Sequence, residues 1–549
     1  MAVSTRPDRS APPRLTSYEE ERARYGVEVP ERYNPVLHVV EGWAAGAPEA
    51  EALVSLDGAG GVVATQTVAE LAAESRKAAR ALLGLGIRKG DRVLLMLPRH
   101  PAWYSALLGA MRVGAVPMPT PNQATARDIA YRLEAAGAVA VITDEAGGEK
   151  LAGIDGKLPA LDRAVRSIAE WEELLERAGD GETPADPTAA TDPLILFFTS
   201  GTVSSPKMAL HAQSYALGHV GTARFWHDLR AGDLHWTISD TGWAKAAWGG
   251  LFGQWHERAT VLQVALGRPD AATILEILAR HCVTSFCAPP TLYRLLVQHD
   301  LTRYDLSALR HCTSAGEPLN PEVIRAWAAG TGGLTVYDGY GQTENVALVA
   351  NYRAVPVRPG SMGKPVPGID VAIVDEAGTE LPAGESGHIA VRVEPRPVGL
   401  FLGYFRDEAA GAEAFRNGLY YTGDRGEKDD DGYFWFEARA DDVITSSAYR
   451  IGPFEVESAL IEHPAVVETA VVGKPDPERT EIVTAFVVLA AGYEASPELV
   501  TELQDHCKRV TAPYKYPREI HFVTELPKTI SGKIRRSELR RRLRGGADP

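Results

Sequence analysis

The sequence has few cysteines, no long apolar run and no excess of positive charge, and each shortage argues against a class of protein. No apolar run approaches the roughly 18 residues that a membrane-spanning helix needs, so we expect no membrane partner. The net charge of −15 argues against nucleic acid as a partner. The cysteines fit neither a disulfide framework nor a paired zinc spacing, and their apolar neighbours predict reduced core thiols in the cytoplasm. They are Cys282, Cys287, Cys312 and Cys507.

The first residues also lack a hydrophobic signal core. Their arginines weakly resemble a transit peptide, but Asp8 and the acidic run at 19–21 argue against import. We therefore expect residues 1–32 to form a polar N-terminal extension and the protein to be cytoplasmic.

The chain is too long for a single core, because 549 residues at about 150 per domain indicate several packed units. From Val68 onward, amphipathic segments alternate with apolar runs, and this βα rhythm predicts largely parallel sheets covered by helices. The predicted helices include 68–85, 101–114, 126–136 and 271–281, and the predicted strands include 91–98, 138–143 and 283–286.

The pattern changes twice more. Short strands with glycine turns replace helices around 366–393, and a compact α+β pattern follows from about 441. The predicted fold class is α/β, with a large domain over 33–440 that includes a small β unit, and a small α+β C-terminal domain over 441–549. The last predicted element is a basic helix from Ile534, whose arginines we interpret as a solvated helix face rather than a nucleic-acid site.

The apolar run 194–198 is followed by Thr199-Ser-Gly-Thr-Val-Ser-Ser-Pro-Lys207. A buried strand that delivers hydroxyls, backbone N–H groups and a lysine is suited to hold phosphates. The loop is not a Walker A motif, because no second glycine precedes Lys207 and Met208 replaces the usual Ser or Thr. Alone, it is also compatible with a Ser/Thr-rich surface turn.

Four later clusters carry side chains that suit a nucleotide. Tyr337-Asp-Gly-Tyr-Gly-Gln-Thr-Glu344 offers an aromatic ring, a hydroxyl and a carboxylate able to bind Mg²⁺. Tyr421-Thr-Gly-Asp424 ends in a carboxylate that could accept both hydroxyls of a ribose. Arg439 and Arg450 span the predicted domain boundary, and Lys533 lies on a glycine-flanked loop.

In this order the clusters resemble the adenylate-forming acyl-CoA synthetases, most closely their medium-chain branch, from about Tyr33 to the C-terminus. The resemblance also extends to the residues of individual segments. The matching segments are Ser239-Asp-Thr-Gly-Trp243, Gly339-Tyr-Gly-Gln-Thr-Glu344, Arg439-Ala-Asp-Asp442, Tyr449-Arg-Ile-Gly-Pro453, His463-Pro-Ala-Val-Val-Glu-Thr-Ala-Val471 and Ala512-Pro-Tyr-Lys-Tyr-Pro517.

The resemblance implies a two-step ligase that uses ATP, Mg²⁺ and coenzyme A. A carboxylate attacks the α-phosphate of ATP to give an acyl-adenylate and pyrophosphate, and the thiol of CoA then displaces AMP. The ATP- and AMP-binding residues so implied are Thr199, Ser200, Gly201, Thr202, Lys207, Gly316, Glu317, Pro318, Asp338, Gly339, Tyr340, Gly341, Gln342, Thr343, Asp424, Arg439 and Lys533.

Three implied positions concern catalysis. Lys533 is expected to bridge the carboxylate and the α-phosphate, Glu344 to bind Mg²⁺, and Thr343 to lie near the α-phosphate. The small C-terminal domain is expected to be mobile about a hinge at Asp441, so that one site serves both reactions. The implied CoA-binding residues are Ser447, Ala448, Tyr449, Arg479, Lys508 and Tyr516, and the implied substrate residues are Gln123, Trp243, Ala315, Thr343 and Arg450.

The chain departs from the family pattern in two places. Val203 and Ser204 replace the usual hydroxyl residue and glycine of the phosphate loop, which predicts a cost of about 1–3 kcal/mol in transition-state binding. Ala448 replaces the usual glycine beside the pantetheine path.

Three alternatives to a complete acyl-CoA ligase therefore stay open: a ligase that takes a preformed acyl-adenylate, an enzyme that loads a carrier protein, and a non-catalytic nucleotide-binding protein. The acid is expected to be medium-chain, aromatic or bulky and polycyclic, because Ala315 is small. The candidate assembly is a homodimer.

Overall fold

The structure is a computed structural model that describes residues 9, 11–154, 158–183, 188–199, 206–267, 270–440, 442–446, 449–529 and 533–543. Several predicted site residues lie outside this described part of the chain, together with the two altered loop positions. They are Ser200, Gly201, Thr202, Val203, Ser204, Asp441, Ser447, Ala448 and the side chain of Arg450.

The α-helices are numbered in chain order. They are α1 (Tyr18–Arg24), α2 (Gly42–Gly46), α3 (Val68–Gly84), α4 (Pro101–Arg112), α5 (Ala126–Ala136), α6 (Glu145–Ala152), α7 (Ile168–Ala178), α8 (Tyr215–Gly221), α9 (Ala244–Gly250), α10 (Phe252–His256), α11 (Ala271–Arg280), α12 (Pro290–Leu296), α13 (Pro321–Gly330), α14 (Glu408–Ala414), α15 (Pro453–Ile461), α16 (Pro497–Val510) and α17 (Arg536–Leu543).

The strands are numbered in the same way. They are β1 (Glu51–Leu56), β2 (Val62–Thr67), β3 (Arg92–Met96), β4 (Val116–Pro119), β5 (Ala140–Thr143), β6 (Ala164–Val165), β7 (Pro193–Phe198), β8 (Met208–Ala212), β9 (Leu234–Thr237), β10 (Thr260–Val264), β11 (Ser285–Ala288), β12 (His311–Ala315), β13 (Val336–Gly341), β14 (Ala347–Ala350), β15 (Lys364–Pro365), β16 (Val371–Val374), β17 (Gly387–Arg392), β18 (Gly403–Tyr404), β19 (Phe415–Arg416), β20 (Leu419–Lys428), β21 (Phe434–Arg439), β22 (Ile444–Ser446), β23 (Tyr449–Ile451), β24 (Val466–Asp476), β25 (Thr480–Leu489) and β26 (Glu519–Phe522).

Helix ends follow local sequence signals. Thr67 and Glu70 form a capping box at the start of α3, and Thr125 and Asp128 form another at the start of α5. Helix α5 ends at Gly137, whose φ of 60° is the left-handed conformation that glycine adopts readily. These caps explain why the sequence predicts both helices to within about two residues.

The largest sheet has the strand order β15-β14-β13-β12-β11-β9-β10-β1-β2. Its centre, from β13 to β1, is parallel, and antiparallel strands extend it at both ends. A second sheet, β4-β3-β5-β6, is entirely parallel. The predicted α/β class is thereby confirmed.

Two antiparallel units complete the large domain. Strands β16, β17, β20, β19 and β21 form the predicted small β unit, and β7 and β8 form a hairpin whose outer edge pairs with β18. The C-terminal residues form a separate sheet from β22 to β26, with a core between α15, α16 and the sheet. No helix among the described residues is long and apolar enough to cross a bilayer.

Two expectations need correction or refinement. The expectation that all four cysteines are core thiols is wrong for Cys282, which is exposed in the turn after α11, whereas the other three are buried. The predicted polar extension packs tightly in its described part, because Leu15 and Tyr18 are buried and the Tyr18 hydroxyl donates to the Pro365 carbonyl at 2.8 Å.

Candidate functional site

The site lies at the carboxyl ends of adjacent parallel strands, where open α/β sheets bind their ligands. Strand β9 leads to Trp243, β12 leads to Gly316 and Glu317, and β13 carries Asp338 and Tyr340. The order of strands in the sheet, β13-β12-β11-β9, therefore brings together segments that are far apart in sequence.

Asp424 is the best-defined carboxylate of this region. It is 3% exposed, and its Oδ2 accepts hydrogen bonds from the Tyr340 hydroxyl at 2.6 Å and from Gln342 Nε2 at 2.7 Å. Gln342 is itself oriented by the Tyr420 hydroxyl, which donates to its Oε1 at 2.9 Å. The carboxylate predicted to hold the ribose is thus fixed by a network of buried donors.

Two positive charges act on this carboxylate from different domains. Arg439 lies opposite Asp424 in the β20–β21 ladder, with its Nε 3.4 Å from Oδ1. Burial raises the pKa of Asp424, while Arg439, the Tyr340 hydrogen bond and the charge of Lys533 lower it. Lys533 belongs to the C-terminal domain, and its charge therefore acts on Asp424 from the other domain.

Glu344 connects the loop after β13 to the predicted phosphate loop. Its Oε1 accepts a hydrogen bond from the Tyr404 hydroxyl at 2.9 Å. Tyr404 lies on β18, which pairs with β8, and Lys207 Nζ lies 4.8 Å from the centre of its ring. Thr199 and Lys207 close the β7–β8 hairpin through a backbone hydrogen bond of 2.9 Å. The lysine predicted to bind phosphate and the glutamate predicted to bind Mg²⁺ therefore contact one tyrosine.

The surroundings of Glu344 suit a divalent cation that is shared with a substrate. Burial raises the pKa of Glu344, and the Tyr404 hydrogen bond only partly offsets it. Among the described residues no cluster of three or more Asp, Glu, His or Cys side chains could enclose a metal. Mg²⁺ usually takes one or two carboxylates and completes its ligands with water and substrate phosphates, which a single glutamate beside a phosphate loop matches.

His211 holds the Thr343 backbone. The ring is fully buried, and its Nε2 lies 2.8 Å from the Thr343 carbonyl oxygen. Burial lowers the pKa of His211 to about 3, so the ring is neutral, and the carbonyl partner requires the proton on Nε2. A neutral donor thus fixes the segment that carries Thr343 and Glu344.

Asp338 and Lys245 are two further ionisable groups of this region whose pKa values are shifted by burial. Burial raises the pKa of Asp338 to about 8, and backbone N–H groups of Leu319 and Gly339 partly offset this. Lys245 Nζ donates to the Ala315 carbonyl at 2.7 Å, and burial lowers the pKa of this lysine. The charges of Glu317 and Lys533 also act on Lys245.

Packing requires glycine at two points of the site. A Cβ at Gly339 would lie 2.5 Å from the Trp226 ring, and a Cβ at Gly242 would lie 2.0 Å from the Pro121 nitrogen. The second contact presses the loop before Trp243 against the loop that carries Gln123. Two predicted substrate residues therefore lie on touching loops.

Trp243 carries a buried indole donor. Its Nε1 finds no hydrogen-bond acceptor within the described parts of the chain, and the same holds for Trp103 and Trp327. A buried indole N–H normally has a partner, so the Trp243 donor is a candidate for a ligand contact. Gln123 is exposed on its loop, and Ala315 is buried at the end of β12.

Four of the predicted CoA-binding residues, Tyr449, Arg479, Lys508 and Tyr516, lie in the described part of the C-terminal domain. Tyr449 is 48% exposed and stacks on Tyr514 with ring centroids 4.1 Å apart. Lys508 Nζ lies 4.5 Å from the centre of the Tyr516 ring. Arg479 lies in the turn before β25 and donates its backbone N–H to Asp476.

Sequence reasoning overlooked four residues of this site: His211, Lys245, Tyr404 and Tyr420. Lys245 could have been noticed as the one charge in the apolar run Ala244-Lys-Ala-Ala-Trp248. Tyr404 gave no local signal, because it reaches Glu344 only through the pairing of β18 with β8.

Family models match most of the chain. Residues 40–405 match the AMP-binding enzyme family, and residues 455–533 match the AMP-binding enzyme C-terminal domain. The chain is 44% identical to acyl-coenzyme A synthetase ACSM3, mitochondrial, of Rattus norvegicus, over 97% of this chain and 94% of the relative. It is 46% identical to the ACSM5 protein of Homo sapiens, also named mitochondrial, over 93% and 91%.

Several solved structures also resemble this chain. The anthranilate CoA ligase AuaEII in complex with anthranoyl-AMP has a TM-score of 0.87 and 31% identity, covering 94% of this chain and 98% of its own. A benzoate CoA ligase from Burkholderia xenovorans LB400 has a TM-score of 0.80 and 29% identity, covering 92% and 100%. ATP-bound MatB from Rhodopseudomonas palustris has a TM-score of 0.84 and 26% identity, covering 93% and 99%. The chain therefore belongs to the AMP-binding enzyme family and is an acid–thiol ligase that resembles the medium-chain acyl-CoA synthetase branch.

Proposed function

We propose that this enzyme converts a carboxylic acid to its CoA thioester through an acyl-adenylate formed from ATP. The carboxylate oxygen attacks the α-phosphorus and pyrophosphate leaves; the CoA sulfur then attacks the acyl carbon and AMP leaves. The observation that carries this proposal is buried Asp424, held by Tyr340 and Gln342 and within the electrostatic reach of Lys533. An acceptor for ribose hydroxyls and a mobile positive charge for the α-phosphate thus occupy one site.

Each residue has a separate task in the proposed mechanism. Asp424 accepts the ribose hydroxyls, and Arg439 supports it from the hinge side. Lys533 stabilises the negative charge that spreads over the α-phosphate oxygens in the adenylation transition state. Thr343 is held near the α-phosphate by the hydrogen bond between its carbonyl and His211.

Mg²⁺ would be held by Glu344 and substrate phosphates, and it would neutralise charge on the departing pyrophosphate. Thr199 and Lys207 lie at the two ends of the loop that would contact the β- and γ-phosphates. Lys207 is oriented by the Tyr404 ring, so the same tyrosine supports both the glutamate and the lysine.

The substrate is proposed to be a medium-chain or aromatic acid. Ala315 presents only a methyl group at the end of β12, and Trp243 Nε1, which lacks an acceptor among the described residues, could donate to an acyl-adenylate. The names of two structural neighbours, an anthranilate ligase and a benzoate ligase, are consistent with a ring in this position. A panel of straight-chain, aromatic and polycyclic acids tests this range.

The proposal is tested by measuring acid-dependent pyrophosphate release with ATP and Mg²⁺, followed by thioester formation after CoA is added. Release with at least one acid and its conversion to a CoA thioester are expected. Thioester formation from synthetic acyl-adenylate without pyrophosphate release would favour instead the thiol-step ligase suggested by Val203 and Ser204.

A loop variant separates these two outcomes further. Val203→Thr with Ser204→Gly restores the family pattern and is expected to raise pyrophosphate release about tenfold or more, by restoring a phosphate donor and loop freedom. An unchanged rate would show that the altered loop is not what limits adenylation.

The cytoplasmic location stays a prediction, and the mammalian relatives are named mitochondrial.

A further inference from the structure

The basic C-terminal helix α17 is not the solvated face that its sequence suggests. Arg536 and Arg540 lie one turn apart on the same side of the helix, and both face Asp442. Arg540 Nη1 donates to Asp442 Oδ1 at 2.5 Å, and Arg536 Nη1 lies 4.0 Å from Oδ2. The exposed fractions of the Arg540 and Asp442 side chains, 20% and 12%, are too small for full solvent screening.

Arg536 is held a second time by the body of the C-terminal domain. Its Nη2 lies 2.7 and 2.8 Å from the two carboxylate oxygens of Glu457 in α15. Glu457 also accepts the backbone N–H of Val471 at 2.8 Å. The carboxylate is thus fully engaged, and Arg536 ties α17 both to the domain core and to Asp442.

Asp442 immediately follows the predicted hinge position 441, and Lys533 precedes α17 by three residues. Two hydrogen bonds join Thr529 and Lys533: the Lys533 N–H donates to Thr529 Oγ1 at 3.1 Å, and the Thr529 N–H donates to the Lys533 carbonyl at 2.7 Å. The Lys533 backbone is therefore fixed on one side by these bonds and followed on the other by a helix that is ion-paired to Asp442.

We propose that Arg540 and Arg536 are positioning residues for Lys533, and that their clamp on Asp442 makes the hinge segment and α17 turn as one body. A rotation at the hinge then turns Lys533 together with α17. The inference rests on the proposed function, in which Lys533 acts in adenylation and is withdrawn for the thiol step. The clamp consequently matters for adenylation and much less for thioesterification.

The test is Arg540→Met, which keeps an unbranched apolar stem and removes the charged guanidinium group. Pyrophosphate release is expected to fall about tenfold, because small displacements of a catalytic group are costly, with the half-saturating ATP concentration nearly unchanged. Thioester formation from synthetic acyl-adenylate and CoA is expected to stay within about twofold of the unmodified enzyme. Arg540→Lys, which keeps the charge, is expected to recover most of the lost rate.

Arg542→Met is the matched control, because Arg542 pairs with Glu538 inside the same helix at 2.8 Å. It removes one arginine charge from α17 and is expected to leave both half-reactions unchanged. Equal losses in Arg540→Met and Arg542→Met would overturn the proposal, as would a loss of both half-reactions in Arg540→Met, which would show a general loss of fold.

Lys533→Ala, measured in parallel, separates the clamp from the function on which it rests. If Lys533→Ala abolishes pyrophosphate release and Arg540→Met does not lower it, the clamp proposal is wrong and the proposed function stands. If Lys533→Ala has no effect on pyrophosphate release, the proposed function itself fails.

Discussion

The two domains contribute to the site in opposite ways. In the large domain, Asp424 is buried and fixed by hydroxyl and amide donors that are far apart in sequence. In the C-terminal domain, Lys533 is exposed, and its charge acts on Asp424 of the large domain. In the proposed mechanism, the large domain therefore supplies a fixed nucleotide site and the C-terminal domain supplies the catalytic charge.

The largest expected effect concerns Mg²⁺, since only adenylation involves pyrophosphate as a leaving group. Chelation with excess EDTA is expected to reduce pyrophosphate release to background, because Glu344 and Lys207 alone leave the phosphates poorly neutralised. Thioester formation from synthetic acyl-adenylate should continue. Equal loss of both activities, not restored by added Mg²⁺, would contradict the assignment of the metal to the first step.

A smaller effect is expected when the hydrogen bonds that fix Asp424 are weakened. Tyr340→Phe removes the 2.6 Å hydrogen bond to Asp424 and should lower both half-reactions about tenfold, since a hydrogen bond to a charged group contributes about 1.5–3 kcal/mol. Steady-state rates of pyrophosphate release and of thioester formation measure it. Tyr404→Phe is the matched control: it removes the hydroxyl bound to Glu344 and should slow only the first half-reaction.

The smallest expected effect is on the pH dependence of the free energy of unfolding. Burial raises the pKa of Asp338 to about 8, so the folded enzyme binds a proton that the unfolded chain has released above its ordinary pKa near 4. The stability associated with the protonated form is present below pH 4 and is lost as the pH rises towards 8. Asp338→Asn should remove this pH dependence. The free energy of unfolding of the variant, relative to that of the unmodified enzyme, should be higher at pH 8 than at pH 5 by about 1 kcal/mol or more. Parallel urea titrations of both proteins at the two pH values measure it, and an unchanged difference would show that Asp338 does not titrate there.

Local signals in the sequence predicted several of the helices and strands. Helix α5 is bounded as expected because Thr125, Asp128 and Gly137 cap it, and β16 coincides with the apolar run 371–374. The nucleotide motif 337–344 likewise lies where parallel strands end. Each of these depends on residues within one or two turns of each other.

The same local signals could not predict contacts between residues that are far apart in the sequence. Tyr404 joins the site through a strand pair whose members lie almost 200 residues apart, and Arg540 of α17 meets an aspartate 98 residues earlier. Composition alone suggested a solvated helix and four core cysteines, whereas the tertiary structure pairs Arg536 with Glu457 and exposes Cys282. Periodicity reports which face of an element is buried, and it does not report which partner covers that face.

The central claim is that a fixed Asp424 serves both reactions while Lys533 serves only the first. It is tested most directly by measuring both half-reactions in Asp424→Asn and Lys533→Ala. The account predicts that Lys533→Ala loses pyrophosphate release by about a hundredfold or more and retains thioester formation, whereas Asp424→Asn loses both. Equal losses of both half-reactions in Lys533→Ala, with Asp424→Asn sparing either one, would contradict it.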